Sequence, residues 1–194
     1  LITHQIVHGD PTQPTVWANL DEWRKLTWRH ESGARIPLRA VAIDAGDGNM
    51  SAHVVKFCMA RDQVFAIKGA SNPEAPIVPR TATKVKHGKV YVLGVNALNE
   101  RWAKRLASDH PGPGYVHLNQ QATDAYLKQL LGMERRVDPK TRKRRWMPAK
   151  NTRVEGRDCA NYALGVLMLT VRDEQLADEV AARWREGETA AQPM

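Results

Sequence analysis

The stretch Ala40-Val41-Ala42-Ile43-Asp44-Ala45-Gly46-Asp47-Gly48-Asn49 decides how this chain is read. An apolar, strand-forming run ends in an aspartate, and small residues and a second aspartate follow at once. A carboxylate there sits where a buried strand leaves its sheet, and leaving it charged without a partner costs several kcal/mol. A metal ion, a basic side chain or the backbone N–H groups of a following helix would compensate it. In open α/β sheets functional groups gather at the carboxyl ends of strands, and the small residues after Asp44 would let a metal or a phosphate come close to the backbone. The competing reading is that Asp44 only caps the next helix. Asp47 reads as a turn or helix-start residue.

Outward from this stretch, Ile36 to Ile43 reads as the strand that ends at Asp44, and Leu1 to Val7 as an earlier short strand. Between them, Val16, Trp17, Leu20 and Trp23 at helical spacing predict a helix over Thr15–His30 capped by Thr15, broken at Ser32-Gly33. Beyond Asp44, Val54, Val55, Cys58 and Met59 form the face of a helix from Ser51, and Val64–Ile67 is a strand ending at Lys68-Gly69. Residues 71–87, with prolines at 73, 76 and 79, read as an exposed loop. A strand over Val90–Val95, a helix from Asn96 or Asn99, a short strand over Tyr115–Leu118 and a helix over Thr123–Met133 capped by Thr123 follow. Val137–Trp146 reads as a two-stranded ribbon turned at Asp138-Pro139-Lys140. Asp158–Val171 is an apolar helix, Asp173–Arg185 an amphipathic one, and 186–194 a flexible tail. Strands separated by helices predict an α/β sheet flanked by helices, in one domain over 1–185.

The formal net charge of +8 points to a polyanionic partner, with an acidic membrane surface as the competitor. No segment approaches the roughly 18 apolar residues of a membrane span. Between Glu134 and Arg157 there are ten basic residues against three acidic ones, an excess of seven that nearly equals the charge of the whole chain. Such runs are usually just solvated. On a hairpin anchored by Trp146, DPKTRKRRW could instead straddle phosphates, contacts that add salt dependence without sequence preference. Cys58 and Cys159 are isolated, fit a reducing cytoplasmic setting and read as small core residues. The seven histidines form no metal-binding pattern. No Walker-type phosphate loop is present, so this segment is not an ATPase by itself.

Asp158, in NTRVEGRDCANYALGVLML, is the second acid of interest. An acid at the mouth of an apolar helix can simply favour the positive end of the helix dipole. Here it follows the basic segment and opens the most apolar helix of the chain. Glu155, three residues earlier, shares its face if the helix extends that far back.

Five segments in order, IDAGDG, VFAIKGAS, VYVLGVNALNERWAKRL, PGPGYVHL and TRVEGRDCANYALGVL, resemble the C-terminal nuclease domain of the lambda-type phage terminase large subunit, the DNA-packaging motor protein. The resemblance runs through nearly the whole chain. It implies an RNase H-like mixed sheet flanked by helices, with a basic β-hairpin, and a two-metal endonuclease that cuts concatemeric duplex DNA. Catalytic acids come in that family from a first strand, a later strand end and the start of a C-terminal helix. Asp44 matches the second place and Asp158 the third, as catalytic and metal-ligating residues. Carboxylates of this kind hold two Mg²⁺ or Mn²⁺ ions, which activate a water and stabilise the leaving oxygen.

The resemblance further implies that the ribbon residues Arg142, Lys143, Arg144 and Arg145, with Lys150 and Arg153, cradle duplex DNA together with Lys68, Arg80 and Lys84. It also implies an ATPase domain on the parent chain, a small terminase subunit, a portal, and action in the host cytoplasm. Two departures stand out. The family's first acid lies upstream of the strand at Leu1, on a segment this sequence lacks, so weak metal binding and cleavage are expected of the chain alone. Asn96, in GVNALNERW, stands where relatives often carry an acid, which argues against a further ligand at that strand end. The alternative function is a non-catalytic DNA-binding or motor-docking module of a phage or prophage packaging protein. A third reading, another RNase H-like enzyme such as a resolvase or transposase, is disfavoured by the order of the motifs.

Overall fold

The computed structural model describes residues 3–171, apart from 30–32, 34 and 113. The helix expected over Asp173–Arg185 and the tail at 186–194 lie outside the described residues. In chain order the elements are α1 (Pro14–Arg24), β1 (Thr27–Arg29), β2 (Arg35–Pro37), β3 (Val41–Asp44), α2 (Ser51–Met59), β4 (Val64–Gly69), β5 (Thr83–Val85), β6 (Gly88–Leu93), α3 (Val95–Leu106), α4 (Asp124–Leu131), β7 (Met133–Val137), β8 (Arg144–Pro148) and α5 (Glu155–Thr170).

The central sheet has the order β3-β4-β6-β5. β3, β4 and β6 run parallel, with Asp44 beside Ile67 and Gly69 beside Leu93, while β5 lies antiparallel on the outer side of β6. The sheet is therefore mixed. Because side chains alternate along a strand, each face takes every second residue. Val41, Ile43, Val64, Ala66 and Val90 meet Val54, Val55, Phe57 and Cys58 of α2, with Trp17 and Leu20 of α1 packed alongside. Ala42, Phe65, Ile67, Tyr91 and Leu93 meet Leu98 and Trp102 of α3 and Tyr162, Leu164 and Val166 of α5 on the other face. At Gly165 a Cβ would run into Leu93, so the missing side chain lets α5 sit against the sheet.

Four expected elements differ. Residues 3–7 form no strand; they lie across the surface on side-chain contacts, His4 against Tyr126 and Gln5 against the Trp23 indole. The first helix starts at Pro14, where a proline's missing N–H costs nothing, and ends at Arg24 rather than His30. Thr27–Arg29 leaves the helical pattern because it pairs with β2, Trp28 opposite Ile36; cross-strand pairing overrides local spacing. The strand expected over Ile36–Ile43 is two strands, interrupted after Pro37, which cannot continue a ladder on its N–H side. Tyr115–Leu118 has no partner strand and is irregular. Conversely, the loop expected over 71–87 carries β5 at its end.

The Thr123 cap is present, its hydroxyl accepting from the Tyr126 N–H at 3.2 Å. The expected ribbon is also there as β7–β8, with Val137 paired to Arg144. Asp138 builds its turn by accepting from the Lys140 N–H at 2.9 Å, and Arg142 takes the left-handed conformation. Cys58 is buried as expected; Cys159 is exposed on α5, so its core assignment does not hold.

Candidate functional site

Asp44 ends β3 with an exposed side chain. Its Oδ1 accepts from the Gly46 N–H at 2.7 Å, which fixes the carboxylate locally. It does not cap the next helix: α2 begins at Ser51 without a side-chain cap, and the turn before it is made by Asp47, whose Oδ1 accepts from the Asn49 N–H. Asp47 is thus the turn residue the sequence suggests.

Asp158 lies one turn inside α5, because the helix starts at Glu155 and not at Asp158. Its N–H is bonded to the Val154 carbonyl at 2.9 Å, as inside the helix, so Asp158 is not the residue that caps α5. α5 packs against β3 and brings the two aspartates together. Burial, and then the negative charges of Asp44 and Glu155, push the Asp158 carboxyl up from the ordinary 3.8 to about 6, only partly opposed by the Arg157 charge. A carboxylate pair in this condition is short of positive charge. Tyr162, one turn beyond Asp158, donates its hydroxyl to Asp44 Oδ2 at 3.4 Å. Burial first, then the two aspartate charges, raise the tyrosine's pKa, so it stays a donor.

The frame behind Asp158 is polar and buried. Arg157, 2% exposed, donates from Nε to Asn99 Oδ1 at 2.8 Å, from Nη2 to the Asn99 carbonyl at 3.1 Å and from Nη1 to the Leu130 carbonyl at 3.0 Å. Asn161 adds a bond to the same Asn99 Oδ1 at 3.2 Å. Burial pulls the Arg157 pKa down to about 10, which leaves it charged at neutral pH. Gln129 of α4 caps the start of α5 by accepting from the Gly156 N–H at 2.9 Å. These bonds fix where Asp158 stands.

A cleft of about 160 Å³ opens beside Asp158. Ala70 and Ser71, just past β4, form one wall with Asn96 and Asn99 of α3, and Arg145, Trp146 and Pro148 of the ribbon form the other. The floor lies at the carboxyl ends of the parallel strands, as strand topology leads one to expect. Gly94 is required here: a Cβ would strike the Ala75 and Pro76 carbonyls, and its N–H bonds to Pro76 O at 3.0 Å, tucking the 70–77 loop onto the end of β6.

Of the residues expected to hold nucleic acid, Arg142, Lys143 and Arg144 are exposed on the ribbon, Lys143 also reaching Glu74 at 2.8 Å. Arg145 lines the cleft and pairs with Asp138 at 3.2 Å. Lys150 and Arg153 are exposed on the loop before α5, Arg153 paired with Glu155 at 3.0 Å. The others are not gathered at the cleft. Lys68 is exposed and, by alternation along β4, turns to the α2 face, away from Asp44. Arg80 is exposed in the loop before β5, and Lys84 stands on β5, at the opposite edge of the sheet from Asp44.

The sequence reading missed Tyr162, Arg157, Asn99 and Asn161. The signal for Tyr162 was its spacing of four from Asp158, and Arg157 and Asn161 share that spacing. Asn99 gave none, since its role depends on α3 meeting α5.

The donor chemistry suits a hard divalent cation: two carboxylates, one held by a turn, the other short of positive charge. Among the described residues, no group of three or more histidines, cysteines and acids is placed to hold a metal, so the pair supplies only part of a ligand set.

The structure is thus a mixed α/β domain: a sheet flanked by helices, Asp158 at a cleft by its carboxyl ends, Asp44 on the edge strand that α5 packs against, and a basic ribbon on the far wall of the cleft. Residues 1–178 match the terminase large subunit gpA endonuclease domain, and the chain belongs to that family. It is 28% identical over 189 residues to the terminase large subunit of Escherichia phage lambda, a match that takes in 91% of this chain and 29% of the relative. The chain therefore spans under a third of that protein's length. No solved structure matches it significantly. Among the described residues no helix is long and apolar enough to cross a membrane.

Proposed function

We propose that this chain is the metal-dependent nuclease portion of a viral DNA-packaging terminase, an RNase H-like domain that cuts concatemeric duplex DNA by two-metal hydrolysis. The observation carrying the reading is the convergence of Asp44 and Asp158, each held from behind, at the carboxyl end of a parallel sheet. Mg²⁺ or Mn²⁺ bound there would activate a water and stabilise the leaving oxygen. The chain's own residues orient the pair: the Gly46 N–H and the Tyr162 hydroxyl aim Asp44, and Arg157 locks the turn that carries Asp158. The exposed cations Arg142, Lys143, Arg144, Lys150 and Arg153 hold backbone phosphates without reading sequence, and Arg145 does so at the cleft. Lys68, Arg80 and Lys84 would meet DNA away from the cut. The parent protein carries an ATPase domain and works with a small terminase subunit and a portal in the host cytoplasm.

A second reading, a non-catalytic DNA-binding or motor-docking module, is favoured by one observation: among the described residues no group of three or more acids, histidines or cysteines is placed to hold a metal. Plasmid cleavage in Mn²⁺ separates the two. This chain, a longer chain carrying the upstream strand, and the longer chain with Asp44→Asn are compared. Cutting by the longer chain that vanishes with Asp44→Asn supports the nuclease. Plasmid binding without any cutting by the longer chain hands the function to the docking reading.

A further inference from the structure

One turn of α3 touches both walls of the cleft. Asn96 accepts the Trp146 N–H on Oδ1 at 2.8 Å and donates from Nδ2 to the Pro73 carbonyl at 3.1 Å. Glu100, four residues on, accepts the Trp146 indole N–H at 3.0 Å and lies 3.9 Å from Arg135 of β7. Asn99 between them is 3% exposed and receives Arg157 and Asn161, the residues flanking Asp158 on α5. Positions 96 and 100 share a helix face, and 99 lies about 100° round from 100, toward α5. Asn96 is thus committed on both sides of its amide. An aspartate there would face the Pro73 carbonyl with an oxygen instead of a donor.

We propose that Asn96 and Glu100 are positioning residues that lock the basic ribbon in register with Asp158, so that a DNA backbone seated on the ribbon presents a phosphodiester to the acid pair. This rests on the nuclease reading for the meaning of the acids, but not for the coupling itself. The ribbon's cations set how tightly DNA binds; the α3 turn sets whether bound DNA and a bound cation meet. The two ligands then favour each other fully only while this turn holds ribbon and acids in register, and the coupling is reciprocal.

The test is fluorescence anisotropy of a short labelled duplex with Ca²⁺, which supports binding without turnover, and with chelator. Asn96→Ala, Glu100→Ala and the conservative Glu100→Gln are compared with the unaltered chain, all checked by melting to be folded at the assay temperature. The unaltered chain binds DNA about tenfold tighter with Ca²⁺, within the usual range of coupling between sites. Asn96→Ala and Glu100→Ala keep the affinity measured in chelator and lose most of the gain, to about twofold or less. Glu100→Gln, which still accepts the indole N–H, keeps it. Asn96→Ala retaining the full gain, or an unaltered chain showing none, overturns the proposal. Plasmid cleavage by the longer chain reports separately: cutting with an unchanged kcat in Asn96→Ala sinks the positioning role and leaves the nuclease reading standing. No cutting at all sinks the nuclease reading, while the anisotropy still decides the coupling.

Discussion

The two faces of the central sheet are built on different terms. On the α2 face the buried side chains are apolar throughout, Val54, Val55, Phe57 and Cys58 against Val64, Ala66 and Val90. The α3–α5 face begins the same way, with Ile67, Leu93 and Leu98. Next to them it buries Asn99, Arg157 and Asn161. The first face needs only volume and shape, and a single helix covers most of it. The second needs directional bonds, because an arginine buried without its acceptors is costly. The difference teaches where the chain invests in geometry: on the side from which Asp158 is aimed.

The sharpest way to break this comparison is at the acids. Asp158→Asn, and separately Asp44→Asn, in the longer chain should lower Mn²⁺-dependent plasmid cleavage by about a thousandfold or more, since the metal contribution is worth several kcal/mol. A matched change on the other face, Val55→Ala, should cost about 2 kcal/mol of stability and leave cleavage below the melting transition close to normal.

Next in size, Arg157→Met should destabilise by about 3 kcal/mol in urea unfolding, because the Leu130 and Asn99 carbonyls lose buried donors. A smaller loss than for Val55→Ala would erase the contrast between the faces.

A third effect is a pH dependence carried by Asp158. Its folded carboxyl is raised to about 6 from 3.8, so the folded state holds the proton more tightly than the unfolded chain does. Its stabilising contribution is complete below about pH 4 and is lost as pH rises through 6. In chelator, the unaltered chain should lose on the order of 1–2 kcal/mol over that window, after allowance for solvent screening. Asp158→Asn should lack this loss and melt higher than the unaltered chain at pH 7.5. The smallest effect belongs to the ribbon: Arg144→Ala should change stability by under about 0.5 kcal/mol, and lower the salt slope of DNA binding by about one.

Much of the framework was legible in the sequence for physical reasons. The run into Asp44 is strand-forming and Gly46, Asp47, Gly48 and Asn49 after it are turn-formers, so its end could be placed. Thr123 has a capping hydroxyl ahead of an amphipathic run. Asp138-Pro139 is a turn pair between two strand-forming arms, so the ribbon could be found. What failed depended on partners. Thr27–Arg29 follows helical spacing and becomes a strand only because β2 lies alongside, and Tyr115–Leu118 has strand-forming residues with nothing to pair with. Near the proposed site, Asp44 could be placed at a strand end, and Asp158 close to, though one turn inside, a helix start. Arg157 read as one more cation in a basic segment, and only the meeting of α3, α4 and α5 removes it from the surface. Asn96 likewise read as a missing acid, whereas its amide holds Pro73 and Trp146 together.

The most direct test of the central claim, that Asp44 and Asp158 form one cation site, is the thermal shift of the 194-residue chain titrated with Mn²⁺ beside Asp44→Asn and Asp158→Asn. A ligand at one hundred times its Kd stabilises by about 2.7 kcal/mol, so the unaltered chain should show a saturable rise in Tm. Both variants should lose that rise together. A full Mn²⁺ response in either variant would contradict a shared site.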